Sequence, residues 1–228
     1  MTCFKILIMT IISFLLFACS DISDKADELI DTNDDDDPQT SILLSGKVAD
    51  GYLSGAKVCL DLNNNKACDE NAPVTFSTAG GVFTFDDVTQ AQIDSAPLLV
   101  EIIEGETIDE DNPGVFIDKK YTLTAPVGYT FVSPLTTMVQ SEIEDTGISR
   151  EEAEGSVQAK LGTTLDLVAD YVAGSISGAN SDEFERLHKV ARVTTVVLQT
   201  NIALVEDVLT ETETSFEDLL GLVVSQVL

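Results

Sequence analysis

The apolar pattern of this chain changes character once, at Ser133-Pro134, and that change calls for two kinds of packing in one protein. Upstream, short β-rich runs at 42–48, 56–62, 74–77, 82–85, 98–103 and 121–125 are separated by Gly51, Gly55, Gly80-Gly81, Gly105 and Pro113-Gly114. Such spacing predicts a small antiparallel β-sandwich over 42–130. Downstream, Ser133 and Pro134 form an N-cap and a first helical position, and Gly147 stops that helix. Ser149-Arg150-Glu151-Glu152 is a capping box opening a second helix, which Gly162 stops. From Ser181 on, Phe184, Leu187, Ala191, Thr194 or Thr195, Leu198, Ile202, Val205 and Leu209 recur every three or four residues, the strongest helical period in the chain. A fourth helix is expected from Ser215 through Phe216, Leu219, Leu220, Val223, Val224 and Val227. Helices with one apolar stripe bury it against each other, so a small helical bundle is expected over 133–228. The fold class is therefore α+β.

Ahead of both parts, Lys5 precedes an apolar run from Ile6 to Phe17. The run is shorter than the ~20 residues of a spanning helix, so residues 1–18 read as a signal peptide. Leu16-Phe17-Ala18-Cys19 resembles the lipobox of bacterial lipoproteins. That resemblance implies cleavage before Cys19, acylation of its thiol and amine (palmitate among the acyl groups), and a membrane held as partner through the lipid. Ser20 in place of Asp implies sorting to the outer membrane, on its periplasmic or its surface face.

Net charge is −28, with 40 Asp and Glu against 12 Lys and Arg, which argues against a nucleic-acid partner. Residues 19–41, with the run Asp34 to Asp37, form an acidic, self-repelling tether with nothing to build a core. The absence of Trp, a single His and 6% aromatic residues leave little for sugar stacking or histidine chemistry. Of the 4 cysteines, Cys3 leaves with the signal and Cys19 takes the lipid, so Cys59 and Cys68 remain as a pair. An exported compartment permits their disulfide, worth roughly 2.5–3 kcal/mol for so short a loop. A metal site built on the two cysteines lacks further Cys or His ligands nearby.

Ala49-Asp50-Gly51-Tyr52 and Cys59-Leu60-Asp61-Leu62-Asn63-Asn64-Asn65, within residues 45–88, resemble the modules of bacterial surface proteins of the serine-aspartate-repeat B type and the related carboxypeptidase-regulatory type. The resemblance implies an Ig/transthyretin-like sandwich and a calcium loop after its second strand. The spacing has its own chemistry, because calcium takes six to eight hard oxygens from alternate positions of a turning loop. Asp61, Asn63, Asn65 and Asp69 occupy positions 1, 3, 5 and 9, with the Ala67 carbonyl at position 7. Lys66 replaces the turn glycine and Ala72 the closing glutamate. Two readings stand at this point: a weak, structural Ca2+ site, or an Asn-rich hairpin stapled by Cys59 and Cys68.

Glu101, Glu104, Glu106, Asp109, Glu110 and Asp111 form a second acidic group, expected to be a solvated loop guarding a sheet edge. His188, next to Leu187, is expected at the boundary of a helix core. No Gly-x-Ser-x-Gly, phosphate loop, Cys-His pair or metalloprotease helix is present. The expectation is a non-enzymatic, membrane-anchored lipoprotein of the cell envelope that binds or scaffolds an envelope protein or an extracellular ligand. A surface adhesion or display module is the first alternative, and an accessory or divergent hydrolase the second.

Overall fold

A computed structural model of the chain describes residues 41–199. The signal peptide, Cys19, the tether before Ser41, the continuation of the third predicted helix and the fourth lie outside the described residues. The fold is mixed α+β, with strands β1 (Ser41–Val48), β2 (Leu53–Ser54), β3 (Lys57–Leu60), β4 (Val74–Phe76), β5 (Val82–Thr89), β6 (Leu98–Ile102), β7 (Ile108–Asp109), β8 (Tyr121–Ala125) and β9 (Phe131–Val132). The helices are α1 (Gln90–Ser95), α2 (Pro134–Thr146), α3 (Arg150–Leu161), α4 (Tyr171–Ile176) and α5 (Ser181–Gln199).

The strands fall into three sheets. One runs β4-β3-β6-β8 with antiparallel neighbours throughout; β5-β1-β9 joins an antiparallel pair to a short parallel one; β2 and β7 pair alone. Alternation is clean in β8, where Tyr121, Leu123 and Ala125 point inward. In β5 it is broken by a bulge. The step from Ile42 to Leu44 on β1 faces the longer step from Val88 to Phe85, so the inward set changes from Phe83 and Phe85 to Val88.

The helices close what the sheets leave open. The Thr124 N–H on β8 donates to Thr137 Oγ1 at 2.9 Å, and Thr136 Oγ1 lies 3.0 Å from the Thr124 carbonyl. The first turn of α2 thus satisfies an edge strand that would otherwise offer unpaired backbone. The expected caps are present: Ser133 and Thr136 form a capping box with Pro134 behind it, Ser149 and Glu152 form another, and Gly147 and Gly162 end their helices in the left-handed conformation.

One hydrophobic core runs from Val48 to Ala191 and joins residues of the strands to residues of α2, α3, α4 and α5. Tyr171 is its pivot, 1% exposed, meeting the Phe131 ring edge-on at 5.4 Å and donating its hydroxyl to the Ala49 carbonyl at 2.9 Å. Such edge-on pairs are favoured by the ring quadrupole. The short strands β2, β7 and β9 have no counterpart among the runs expected above, and two helices have none either. The six residues of α1 bury none of their side chains and rest on the Thr89/Gln92 capping box. The six of α4 depend on Asp170, which caps Ala173 and also accepts from Lys47 at 2.8 Å and Tyr52 at 2.8 Å.

Candidate functional site

Cys59 ends buried on β3, and the loop that follows returns to it through a Cys59–Cys68 disulfide with Cα atoms 5.7 Å apart. Asp61 is 4% exposed, and its two carboxylate oxygens accept the Asn65 N–H at 3.1 Å and the Lys66 N–H at 2.9 Å. Asn63 Oδ1 also accepts the Asn65 N–H, and Asn65 Oδ1 accepts the Ala67 N–H at 2.9 Å. Asp69 Oδ2 receives the side-chain amides of Asn63 at 2.6 Å and Asn65 at 3.0 Å. Asp61, Asn63, Asn65, Ala67 and Asp69 are therefore wound together in one turn.

Lys66 stands where a glycine was missing, yet its backbone holds φ +61°, the left-handed conformation that glycine adopts freely. Its N–H is held by Asp61 inside the loop, and contacts from outside anchor the loop further. Lys66 Nζ pairs with Glu144 Oε2 on α2 at 2.7 Å, and Glu101 accepts both the Cys68 N–H and the Lys57 ammonium at 3.0 Å. In kind, two carboxylates, two amide oxygens and a carbonyl suit a hard cation. Among the described residues, no group of three or more His, Cys, Asp and Glu could hold a metal, so an ion here leans on amides and must displace their N–H groups from Asp69.

A second site was not anticipated. Between the loop that carries β7 and the outer face of α5 lies a cleft of about 800 Å³, lined in part by Asp50, Asp109, Tyr121, Arg192 and Thr195. Gly51 permits its construction: a Cβ there would strike the Asp109 and Asp111 side chains. Asp50 is 4% exposed. Its Oδ1, the Tyr121 hydroxyl and the Thr195 hydroxyl are buried without a hydrogen-bond partner. Thr195 is near enough to both Asp50 and Tyr121 to ease their burial, but completes a hydrogen bond with neither.

Unrelieved burial dominates the electrostatics. It pushes the Asp50 carboxyl up to about 7, with nearby Asp109 adding to the rise and Thr195 and Arg192 opposing it. Burial also raises Asp109 and Tyr121. Asp170, near the same core, behaves in the opposite way. Burial works to raise it, but the Ala173 N–H, the Lys47 ammonium and the Tyr52 hydroxyl outweigh that effect and hold it below the ordinary carboxylate value.

The acids of 101–111 correct in part the expectation of a solvated loop guarding a sheet edge. Glu104 and Glu106 are exposed, but Glu101 anchors the disulfide loop, Asp109 pairs in β7, and Glu110 accepts the Gly80 N–H at 2.7 Å. Asp111 Oδ2 lies 2.9 Å from His188 Nε2, without the alignment of a hydrogen bond. His188 does stand at the edge of the core, its ring 5.5 Å from that of Tyr171.

The one sequence signal for the cleft was Asp50 between two small residues, Ala49 and Gly51, at a β-turn. Nothing in it points to Thr195. No protein-family model, curated protein or solved structure matches this chain.

Proposed function

We propose that the chain is a non-enzymatic, membrane-tethered lipoprotein of the cell envelope that works by binding, and that the Asp50 cleft is where it binds. The observation that carries this reading is the set of buried oxygens on Asp50, Tyr121 and Thr195 with no protein partner. Each such group costs about 1–3 kcal/mol when left unsatisfied, so their grouping in one concave place suits a ligand that completes them. The β half is read as an Ig/transthyretin-like sandwich and the helices after Ser133 as a small bundle. Acylation at Cys19 would tether this unit through the acidic segment. Replacing Cys19 by Ala is expected to move the protein from the membrane fraction to the soluble fraction and to abolish the lipid mass shift. A Cys19→Ala protein that still fractionates with membranes and keeps the mass shift contradicts the tether.

In this reading calcium has a structural part only, at Asp61, Asn63, Asn65, the Ala67 carbonyl and Asp69. The loop is already pinned by the disulfide, Glu101 and the Lys66–Glu144 pair, so ion binding would tighten it rather than create it. Two carboxylates and no closing glutamate put the dissociation constant at about 10⁻⁴–10⁻³ M. Calorimetric titration of the full chain should show calcium binding in that range, lost in Asp69→Ala. No heat and no melting shift at millimolar calcium would leave the stapled hairpin as the whole role of the loop.

A second reading, a divergent hydrolase, is favoured by one observation: Asp50, held protonated near neutrality, lies close to Asp109 in a cleft. Two carboxyl groups with different environments are the raw material of acid–base hydrolysis. Turnover of a glycoside or ester panel that Asp50→Asn abolishes would establish it.

A further inference from the structure

The cleft has a polar floor and an apolar approach, and the two together narrow what fits. Asp50, Tyr121 and Thr195 line the cleft, and one oxygen of each is buried without a hydrogen-bond partner. Asp109 and Asp118 line the same cleft and add negative charge. The cations that border it are turned to other partners: Lys189 Nζ is 2.8 Å from Glu185 Oε1 and Arg192 Nε is 3.8 Å from Asp111 Oδ2. Val115 and Phe116, adjacent in sequence and both on the lining, are 62% and 54% exposed and leave apolar surface at the cleft.

One carboxylate oxygen and two hydroxyl oxygens on separate side chains can each accept from an ammonium group, which has three donors and no acceptor. A guanidinium wants both oxygens of one carboxylate in a planar fork, whereas the buried unpaired oxygens here sit on three different side chains. A quaternary ammonium wants an aromatic cage, whereas Phe116 and Tyr121 are the aromatic side chains on this lining. An anion would meet Asp50, Asp109 and Asp118.

We propose that the cleft is a binding site for a primary ammonium group on an apolar stem, the ammonium donating to Asp50, Tyr121 and Thr195 and the stem packing on Val115 and Phe116. The inference rests on the reading of the cleft as the binding site and names the chemistry of its ligand. Either a free alkylamine or the lysine side chain of a peptide carries that chemistry.

The test uses the full chain, uniformly ¹⁵N-labelled, at pH 8, where hexylamine is charged. Hexylammonium should shift the amide resonances around residues 109–121 and 189–196 in a saturable manner. Hexanoate, hexanol and calcium should not, and Asp50→Asn should weaken hexylammonium at least tenfold. Phe116→Ala should weaken hexylammonium while leaving the weaker ethylammonium response unchanged. A lysine-containing tripeptide that displaces hexylammonium identifies the peptide source, and one that fails to do so identifies the free amine. If hexanol or hexanoate saturates the same resonances equally well, or if calcium does so, the cleft binds but the ammonium assignment is overturned. If no probe moves these resonances, the binding site itself is overturned.

Discussion

Asp50→Asn should make this protein more stable above pH 7, by on the order of 3–4 kcal/mol, and should make little difference near pH 4. The folded state raises the Asp50 carboxyl from 3.8 to about 7, chiefly through burial. Between those two values the folded chain keeps a proton that the unfolded chain has released. Wild-type stability therefore carries a penalty that grows as pH rises from about 4 and is complete above about 7. An amide keeps the shape and removes the ionisation, so the penalty disappears from the mutant. For a chain of this size the gain corresponds to roughly 10 °C in melting temperature. Thermal or urea unfolding of both proteins at pH 4.5 and pH 8 checks it. An Asn variant equally or less stable at pH 8 would mean that Asp50 has a satisfying partner in the folded protein. A residue that costs stability in the free protein is the kind of group found where a ligand has its own claims on the fold.

Tyr171→Ala is expected to cost about 3–5 kcal/mol, whereas Tyr171→Phe should cost only about 1 kcal/mol. The ring is fully enclosed between Phe131 on β9 and His188 on α5, and the hydroxyl reaches the Ala49 carbonyl just after β1. The alanine variant loses the ring's packing and leaves a cavity, while phenylalanine loses one hydrogen bond. Because the apolar core is continuous from Val48 to Ala191, sheet and helices should unfold in a single transition in all three proteins. Far-ultraviolet helix signal and near-ultraviolet tyrosine signal, followed together, should coincide. A helical transition that precedes loss of the β signal would show two independently folding parts.

Elements specified by near neighbours were readable: β8 at Tyr121–Ala125, the Ser133-Pro134 start and Gly147 stop of α2, and the Ser149–Glu152 box and Gly162 stop of α3. The Cys59–Cys68 bond was readable from cysteine arithmetic, and the structure contains it. By contrast, α4 has no periodicity of its own. Its cap, Asp170, is fixed by Lys47 and Tyr52 from more than a hundred positions away. No local pattern encodes such a contact.

The same reason hid the cleft. Asp50 follows β1, Asp109 lies in β7, Tyr121 opens β8 and Thr195 lies late in α5, so only the assembled fold makes them neighbours. The acids at 101–111 resemble solvated charge when read in line, and the burial that raises Asp109 comes from elements far along the chain. At the loop, the glycine expected for the turn is absent. Lys66 nevertheless adopts the turn, its N–H accepted by Asp61 and its ammonium paired with Glu144 on α2, a contact that spacing alone does not reveal.

A binding site at the cleft requires Asp50 to be buried in the free protein without a partner that stabilises its charge. Direct titration of the Asp50 side-chain carboxyl by ¹³C NMR in the folded, ligand-free chain tests this most directly. The account predicts an apparent pKa near 7, as burial dictates. A value close to the ordinary 3.8 would show a solvated or satisfied carboxylate and would contradict the binding site built on it.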